Sequence, residues 1–138
     1  MQFSTYLYFD GNCEEAFKFY EKHLGGKIEV MMPHEGTPAA EQTPANWLKK
    51  ILHARMSLGD GQLLMASDAP PGHFSPQQGF SINVQVNDTA EAERVFATLS
   101  ESGKILMPIA ETFWATRFGM LVDRFGIPWM VNYQKATS

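Results

Sequence analysis

Residues 5–30, "TYLYFDGNCEEAFKFYEKHLGGKIEV", and residues 81–107, "SINVQVNDTAEAERVFATLSESGKILM", follow one pattern, and this repeat decides the fold. Each copy begins with a short strand-like run, which turn residues connect to an amphipathic helix. The apolar helix residues recur at i, i+3, i+4 and i+7, the spacing of a single helix face. They are Ala16, Phe19, Tyr20 and His23 or Leu24 in the first helix, and Ala92, Val95, Phe96 and Leu99 in the second. Each helix ends at glycine, so the repeat predicts two similar units, with helices near residues 12–24 and 89–102.

The ends of the two copies also match each other. Residues 58–68, "LGDGQLLMASD", predict a hairpin with a two-residue turn at Asp60-Gly61, and residues 122–132, "VDRFGIPWMVN", predict its counterpart. In this alignment Met65 corresponds to Met130. We therefore predict an α+β fold of tandem βαβββ modules, with module 1 at about residues 1–68, a linker at 69–79 and module 2 at about residues 80–135.

Charge and composition exclude several classes of protein. The net charge is −4 without a basic patch, so we predict no nucleic-acid partner. No apolar run approaches the length of a membrane-spanning helix, so we predict no membrane partner. The single cysteine, Cys13, excludes an internal disulfide and is typical of a reducing compartment, so we predict a cytoplasmic protein.

Three stretches carry a resemblance to a known family: "FDGNCEEAFKFYEKHLGG" (9–26), "LLMASDAPPG" (63–72) and "ETFWATRFGMLVDRFGIPWMVN" (111–132). With the tandem pattern, they resemble the vicinal oxygen chelate superfamily of glyoxalases, bleomycin-resistance proteins and extradiol dioxygenases. Within it they resemble the PhnB-like branch, often labelled as a 3-demethylubiquinone 3-methyltransferase-type domain. The resemblance implies two modules that form a curved, incomplete barrel around a cavity, commonly in a homodimer. We therefore predict a homodimer with a small-molecule ligand.

The resemblance also implies where a metal would bind. Metal-dependent members take His, Glu or Gln ligands from the first and last strands of each module, positions that carry over to Thr5, Met65, Ser81 and Met130. These residue types do not suit Zn, Fe or Mn. We predict no metal site and no cofactor, although a divalent metal at a displaced position stays possible. The methyltransferase label lacks support, because the turn at residues 10–12 offers one glycine rather than a glycine-rich set.

The stretch "ETFWATRFG", residues 111–119, has two interpretations. Its aromatic residues are either part of the core or the wall of a binding cavity. In the second interpretation Phe113, Trp114 and Phe118, together with Trp129, form the apolar wall, and Asn132 orients the ligand. Aromatic walls with a few polar groups are typical of small-molecule sites. This predicts binding of a small, partly aromatic organic molecule in the cavity between the modules.

The histidines offer one candidate for acid–base chemistry. Counting outward from the predicted two-residue turn places His53 opposite Asp68, and a carboxylate beside a histidine suits a general base. The alternative is a cross-strand polar pair at a sheet edge. Glu111 is the other titratable candidate, whereas His34 and His73 are expected in exposed loops. The alternative function is therefore a lyase, isomerase or oxygenase that uses a displaced divalent metal or His53 as base.

Overall fold

The computed structural model describes residues 1–136 and divides the chain into two compact units, residues 1–75 and a second unit that begins at residue 76. The first unit contains β1 (Thr5–Phe9), α1 (Cys13–Leu24), β2 (Lys27–Pro33), β3 (Ile51–Ser57) and β4 (Leu63–Asp68). The second contains β5 (Ile82–Gln85), α2 (Thr89–Ser100), β6 (Lys104–Ala110), β7 (Ala115–Val122) and β8 (Pro128–Gln134). The predicted α+β class and the tandem βαβββ pattern are confirmed, whereas the cavity between the modules stays a prediction.

Each unit builds one four-stranded mixed sheet of the same topology. The strand order is β1-β4-β3-β2 in the first sheet and β5-β8-β7-β6 in the second. The first and last strands of each unit pair in parallel, and the other neighbours pair antiparallel. No helix within residues 1–136 has the length and hydropathy needed to cross a membrane.

Helix α1 packs on its sheet through a face that differs slightly from the predicted one. Its buried residues are Cys13, Ala16, Phe17 and Tyr20, again at i, i+3, i+4 and i+7. Phe19 and Leu24 are only half-buried, so the predicted face is wrong by part of a turn. The error arises because Phe19 and Tyr20 lie at i+3 and i+4 from Ala16, whereas Ala16 and Phe17 lie at i+3 and i+4 from Cys13. The same spacing therefore fits two helix faces.

Helix α2 buries the four predicted residues, Ala92, Val95, Phe96 and Leu99. The Asp88 side chain accepts a hydrogen bond from the Ala90 backbone N–H and caps the helix. The helix lies close to β7 at Gly119, where an added Cβ would come within 2.5 Å of Cε2 of Phe96. A glycine is therefore needed there for the helix to reach its sheet.

The turn between β3 and β4 is one residue longer than predicted. The Leu58 backbone N–H donates to the Gln62 carbonyl at 3.0 Å, which leaves three residues, 59–61, in the loop. All three have positive φ angles, of 85°, 50° and 75°, and two of them are glycine. The extra residue shifts the register between β3 and β4 by one position. A shift of one position exchanges the two faces of a strand, because successive side chains point to opposite faces.

The turn between β7 and β8 is organised by Asp123, which is buried. Its Oδ1 accepts hydrogen bonds from the backbone N–H groups of Phe125 and Ile127, both at 2.9 Å. Its Oδ2 accepts from Nε1 of Trp129 at 2.8 Å. The sequence "DRFGIPW" therefore forms a turn that is closed by its own first residue.

The segment between β2 and β3, residues 34–50, contains two short 3-10 helices, Pro38–Gln42 and Ala45–Trp47. His34 was expected to be exposed here, but it is only 8 % exposed. Its Nδ1 lies 2.9 Å from the Lys50 carbonyl oxygen, and the two backbones are hydrogen-bonded at the same place. The prediction is wrong because His34 and Lys50 extend the pairing of β2 and β3 by one more hydrogen bond.

Candidate functional site

One face of the second sheet is packed against α2, and the opposite face, here called the helix-free face, carries most of the predicted binding residues. A Cβ added at Gly119 would meet Phe96, so this position of β7 faces the helix. Because side chains alternate along a strand, Phe118 and Met120 lie on the helix-free face. Asn132 is registered with Phe118, and Met130 with Met120, so these residues share that face.

Two rows of side chains cross this face from strand to strand. Parallel pairing of β5 with β8 places Gln85 beside Asn132 and Asn83 beside Met130. On the other side, β6 adds Ala110 next to Phe118 and Met107 next to Met120. One row is therefore Gln85, Asn132, Phe118 and Ala110, and the other is Asn83, Met130, Met120 and Met107.

The aromatic residues of "ETFWATRFG" form a continuous series at the end of the first row. The rings of Trp114 and Phe118 meet edge to face, with centroids 5.3 Å apart, and those of Phe113 and Trp114 do so at 4.8 Å. Exposure rises along the series, from 6 % at Phe118 to 41 % at Trp114 and 89 % at Phe113. The structure thus brings together these three predicted residues, with one end of the series in solvent and the other beside Asn132.

Asn132 provides the polar end of this surface. Its Nδ2 donates a hydrogen bond to Oε1 of Gln85 at 2.9 Å. Its Oδ1 is buried and has no hydrogen-bond partner among the described residues. A buried acceptor in that state is costly in free energy, which makes it unusual in a folded protein.

Trp129 does not belong to this surface. It lies on the opposite face of β8 from Asn132, because the two residues are separated by an odd number of positions. Its side chain is 2 % exposed, and its indole N–H is bonded to Asp123. The prediction that Trp129 and Asn132 line the same wall is therefore wrong, and Trp129 contributes to the packing beside the hairpin turn.

Glu111 is a surface residue at the end of β6. Its Oε2 lies 3.0 Å from Nζ of Lys135. The hydrogen bond from Lys135 and the positive charge of that residue lower the pKa of the Glu111 carboxyl below its ordinary value. Because the ionised form is stabilised, the Glu111 carboxylate is a weaker base than that of an ordinary glutamate.

The corresponding helix-free face of the first sheet contains His53. Met32 of β2 is registered with His53, and Arg55 with Met65 and Val30. The phenol oxygen of Tyr6 lies 3.3 Å from Nδ1 of His53, and the two rings are stacked with centroids 5.9 Å apart. The ring of Tyr8 is 5.2 Å from that of Tyr6. His53 thus lies in an aromatic cluster.

Asp68 does not lie beside His53, and its carboxylate binds backbone N–H groups instead. Its side chain is 3 % exposed, and its Oδ1 accepts from the backbone N–H groups of Gly11 at 2.9 Å and Cys13 at 3.0 Å. Its Oδ2 accepts from the Ile51 N–H at 2.8 Å. The predicted His53–Asp68 pair is wrong because Ala54 is registered with Ala66, which directs His53 toward Ser67. Asp68 holds the start of α1 against the start of β3.

The residues at the superfamily's metal positions do not fit a divalent metal. Met65 and Met130 are registered with Tyr6 and Asn83, so the first-strand neighbours are these residues rather than Thr5 and Ser81. Tyrosine, asparagine and two methionines are a poor ligand set for Zn, Fe or Mn. Among residues 1–136, no three His, Cys, Asp or Glu side chains are grouped as a metal site would require.

The turn after β1 does not fit a methyl donor bound in the usual way either. A glycine-rich turn serves nucleoside-containing cofactors by letting the ligand approach its backbone closely. At Gly11 that approach is blocked, because an added Cβ would lie 3.2 Å from Cη2 of Trp47 and 3.4 Å from Cε of Lys50. The Lys50 ammonium also donates to the Gly11 carbonyl at 2.8 Å.

Comparison with known proteins agrees with this architecture. Residues 1–132 match the family described as 3-demethylubiquinone-9 3-methyltransferase. The chain is 35 % identical to protein YjdN of Escherichia coli K12, over 98 % of this chain and 97 % of that protein. The chain belongs to the PhnB-like 3-demethylubiquinone methyltransferase family.

Solved structures support the same assignment. The crystal structure of protein PA1353 from Pseudomonas aeruginosa is 47 % identical, with a TM-score of 0.89 and 99 % of each chain covered. A putative 3-demethylubiquinone-9 3-methyltransferase, the PhnB protein from Bacillus cereus, is 28 % identical, with a TM-score of 0.79 over 96 % of this chain and 99 % of that one. A glyoxylase/bleomycin resistance protein/dioxygenase domain from Frankia, 12 % identical with a TM-score of 0.68 over 98 % of each chain, shares the fold of this PhnB-like protein.

Sequence reasoning missed several residues of the site. Gln85, which holds the Asn132 amide, was not singled out, although the alternation in "SINVQV" placed polar residues at every second position. Tyr6 was missed as the neighbour of His53, because it lies on β1, beyond the β3–β4 hairpin from which the surroundings of His53 were counted. Met130 was considered only as the counterpart of Met65, and its row with Met120 and Met107 was missed. The bulge between Ile105 and Met107 that sets the register of β6 is not visible in the sequence.

Proposed function

We propose that this PhnB-like protein binds a small, partly aromatic organic molecule on the helix-free face of the second sheet, without a divalent metal. One observation carries the proposal. The rings of Phe113, Trp114 and Phe118 lead from solvent to the amide of Asn132. An apolar surface that ends at one oriented polar group is how small-molecule sites fix a ligand.

The methionine row supports the same class of ligand. Met120 and Met130 are registered neighbours beside Phe118 and Asn132, and both are partly exposed. A thioether is polarisable and flexible, and it makes favourable contacts with the edges of aromatic rings. Such a wall adapts to planar molecules of different outline. This favours a binding function over a purely structural role for the face.

A direct binding measurement tests the proposal. We suggest 2-naphthol as the probe, titrated into the protein and followed by isothermal calorimetry. Trp114→Ala removes the central ring of the series, and an aromatic contact of this kind contributes about 0.5–1.5 kcal/mol, so the dissociation constant should rise about two- to tenfold. Phe3→Ala is the matched control, because Phe3 is 90 % exposed and lies outside the second unit. Failure of the wild-type protein to bind naphthols, or equal effects of the two variants, would contradict the proposal.

We also propose that the protein is a cytoplasmic homodimer. Strand β6 is an edge strand, and Ile105, Leu106 and Met107 are each between 43 % and 50 % exposed. An exposed apolar edge strand is an aggregation hazard that a second copy would cover. A reducing compartment agrees with Cys13, a buried thiol outside any disulfide. Light scattering should give a dimer mass that Leu106→Glu reduces, and a monomeric wild-type protein would refute the homodimer.

A second candidate function is an enzyme that uses His53 for proton transfer. The contact between Tyr6 and His53 favours it, because a phenol next to an imidazole fixes the ring orientation, and Tyr6 is partly exposed. Turnover of an aromatic hydroxy or keto compound that is lost in His53→Gln and unaffected by chelators would support this candidate. Turnover that survives His53→Gln would dismiss it.

A further inference from the structure

We propose that the ligand of the second sheet is an aromatic compound with a hydrogen-bond donor on its ring, a phenol or an aromatic amine, and that this donor binds Oδ1 of Asn132. The inference rests on the proposed function, because it names the ligand class of that same face. It goes further in making Asn132 the residue that selects donors over acceptors.

The first step is the orientation of the Asn132 amide. The Nδ2 group donates to Oε1 of Gln85 at 2.9 Å, so the nitrogen lies toward β5. The oxygen of the same amide must then point away from Gln85. In this orientation Asn132 presents its oxygen, an acceptor, on the side away from β5.

The second step is the state of that oxygen. It is buried, and within residues 1–136 it has no hydrogen-bond partner. In the described part of the chain the two other buried side-chain polar atoms without partners, on Asn12 and Trp47, belong to the first unit. Because a buried unpaired acceptor is unfavourable, a ligand that donates a hydrogen bond to it removes this cost. A ligand that presents another acceptor would add repulsion instead.

The third step is the geometry of approach. Phe118 is registered with Asn132 across the antiparallel pair, where side chains on one face are about 4.5–5.5 Å apart. A ring that packs against Phe118 therefore has its edge next to the amide. Because the oxygen is covered, the ligand ring has to displace a side chain. Trp114, which contacts Phe118 and is partly exposed, is the ring we expect to move.

The test compares two probes of nearly the same shape, 2-naphthol and 2-methoxynaphthalene, of which only the first donates a hydrogen bond. Calorimetric titration at neutral pH should give at least about tenfold tighter binding of 2-naphthol, since sites built around a buried polar group discriminate strongly. In Asn132→Leu the preference should disappear, and in Asn132→Asp, which keeps an acceptor, it should remain. Thermal unfolding confirms that each variant is folded, and if the Leu variant is not, Asn132→Ala, which also lacks the acceptor, replaces it.

The outcomes separate the two proposals. Equal affinity for both probes, or a preference for 2-methoxynaphthalene, overturns the donor inference and leaves the proposed binding function standing. A preference for 2-naphthol that survives in Asn132→Leu also overturns it, because another residue would then supply the acceptor. If neither probe binds, the proposed function fails and the inference fails with it.

Discussion

Replacing Asp68 tests whether this carboxylate is part of the framework or part of an acid–base pair. Its two oxygens accept hydrogen bonds from the backbone of Gly11, Cys13 and Ile51. Asp68→Ala leaves three N–H groups without this acceptor, and each buried donor left unpaired costs about 1–3 kcal/mol. We therefore expect the free energy of unfolding to fall by at least about 3 kcal/mol, a large part of the about 5–15 kcal/mol that is usual for a domain.

Asp68→Asn should lie between the wild type and the alanine variant. An amide has one acceptor oxygen and a donor nitrogen, so it can serve Gly11 and Cys13 or Ile51, but not all three. The expected loss is about 1–3 kcal/mol. Urea unfolding followed by circular dichroism measures both variants. The control is Asp10→Asn, an exposed aspartate for which we expect a change within about 0.5 kcal/mol.

A double-mutant cycle with His53 completes the test. Because Asp68 and His53 are not registered with each other, the losses in Asp68→Asn and His53→Ala should add to within about 0.5 kcal/mol. A coupling energy above about 1 kcal/mol would show that the two side chains interact and would refute the register described here. A stable, fully folded Asp68→Ala variant would refute the framework role itself.

Three further predictions follow from other parts of the structure. Asp123→Ala should lower the free energy of unfolding by about 3 kcal/mol or more, because three donors lose their acceptor, and a loss below about 1 kcal/mol in urea unfolding would contradict this. Gly119→Ala should destabilise the second unit by about 1–3 kcal/mol, because the added methyl group overpacks against Phe96. Thermal unfolding measures this loss. Gly103 is not a suitable control, because a Cβ there would meet backbone atoms. Burial, followed by the negative charges of Asp68 and Glu14, raises the pKa of the Cys13 thiol. The stability that this protonated thiol contributes is therefore present at neutral pH and is lost as the pH rises above the ordinary thiol pKa of about 8.5. Cys13→Ala should make the free energy of unfolding fall less steeply at alkaline pH, and an identical fall in both proteins would count against this.

The fold was predictable because its signals are periodic. The face of α2 follows from the spacing of Ala92, Val95, Phe96 and Leu99, which offers no competing phase. The phase of α1 was not decided by spacing, since Phe17, Phe19 and Tyr20 fit two faces almost equally well. Packing against the sheet selects the phase that contains Phe17, and that choice depends on contacts distant in the sequence.

The site was less predictable because it depends on register. One added residue in the turn at 59–61 separates His53 from Asp68, and loop length cannot be read reliably from a Gly-Asp-Gly sequence that suits several turns. The sequence alone did not show on which face of β8 Trp129 lies. The aspartate six positions earlier, which receives its indole N–H, was the signal that it belongs to the hairpin turn.

The measurement that tests the central claim most directly is the methyl NMR spectrum of the methionines during titration with 2-naphthol. Met120 and Met130 lie on the helix-free face beside Phe118 and Asn132, whereas Met56 is fully buried in the first unit. We expect large, saturable ring-current shifts for the methyl groups of Met120 and Met130 and none for Met56. Saturable binding that leaves Met120 and Met130 unshifted would place the ligand elsewhere and contradict the account.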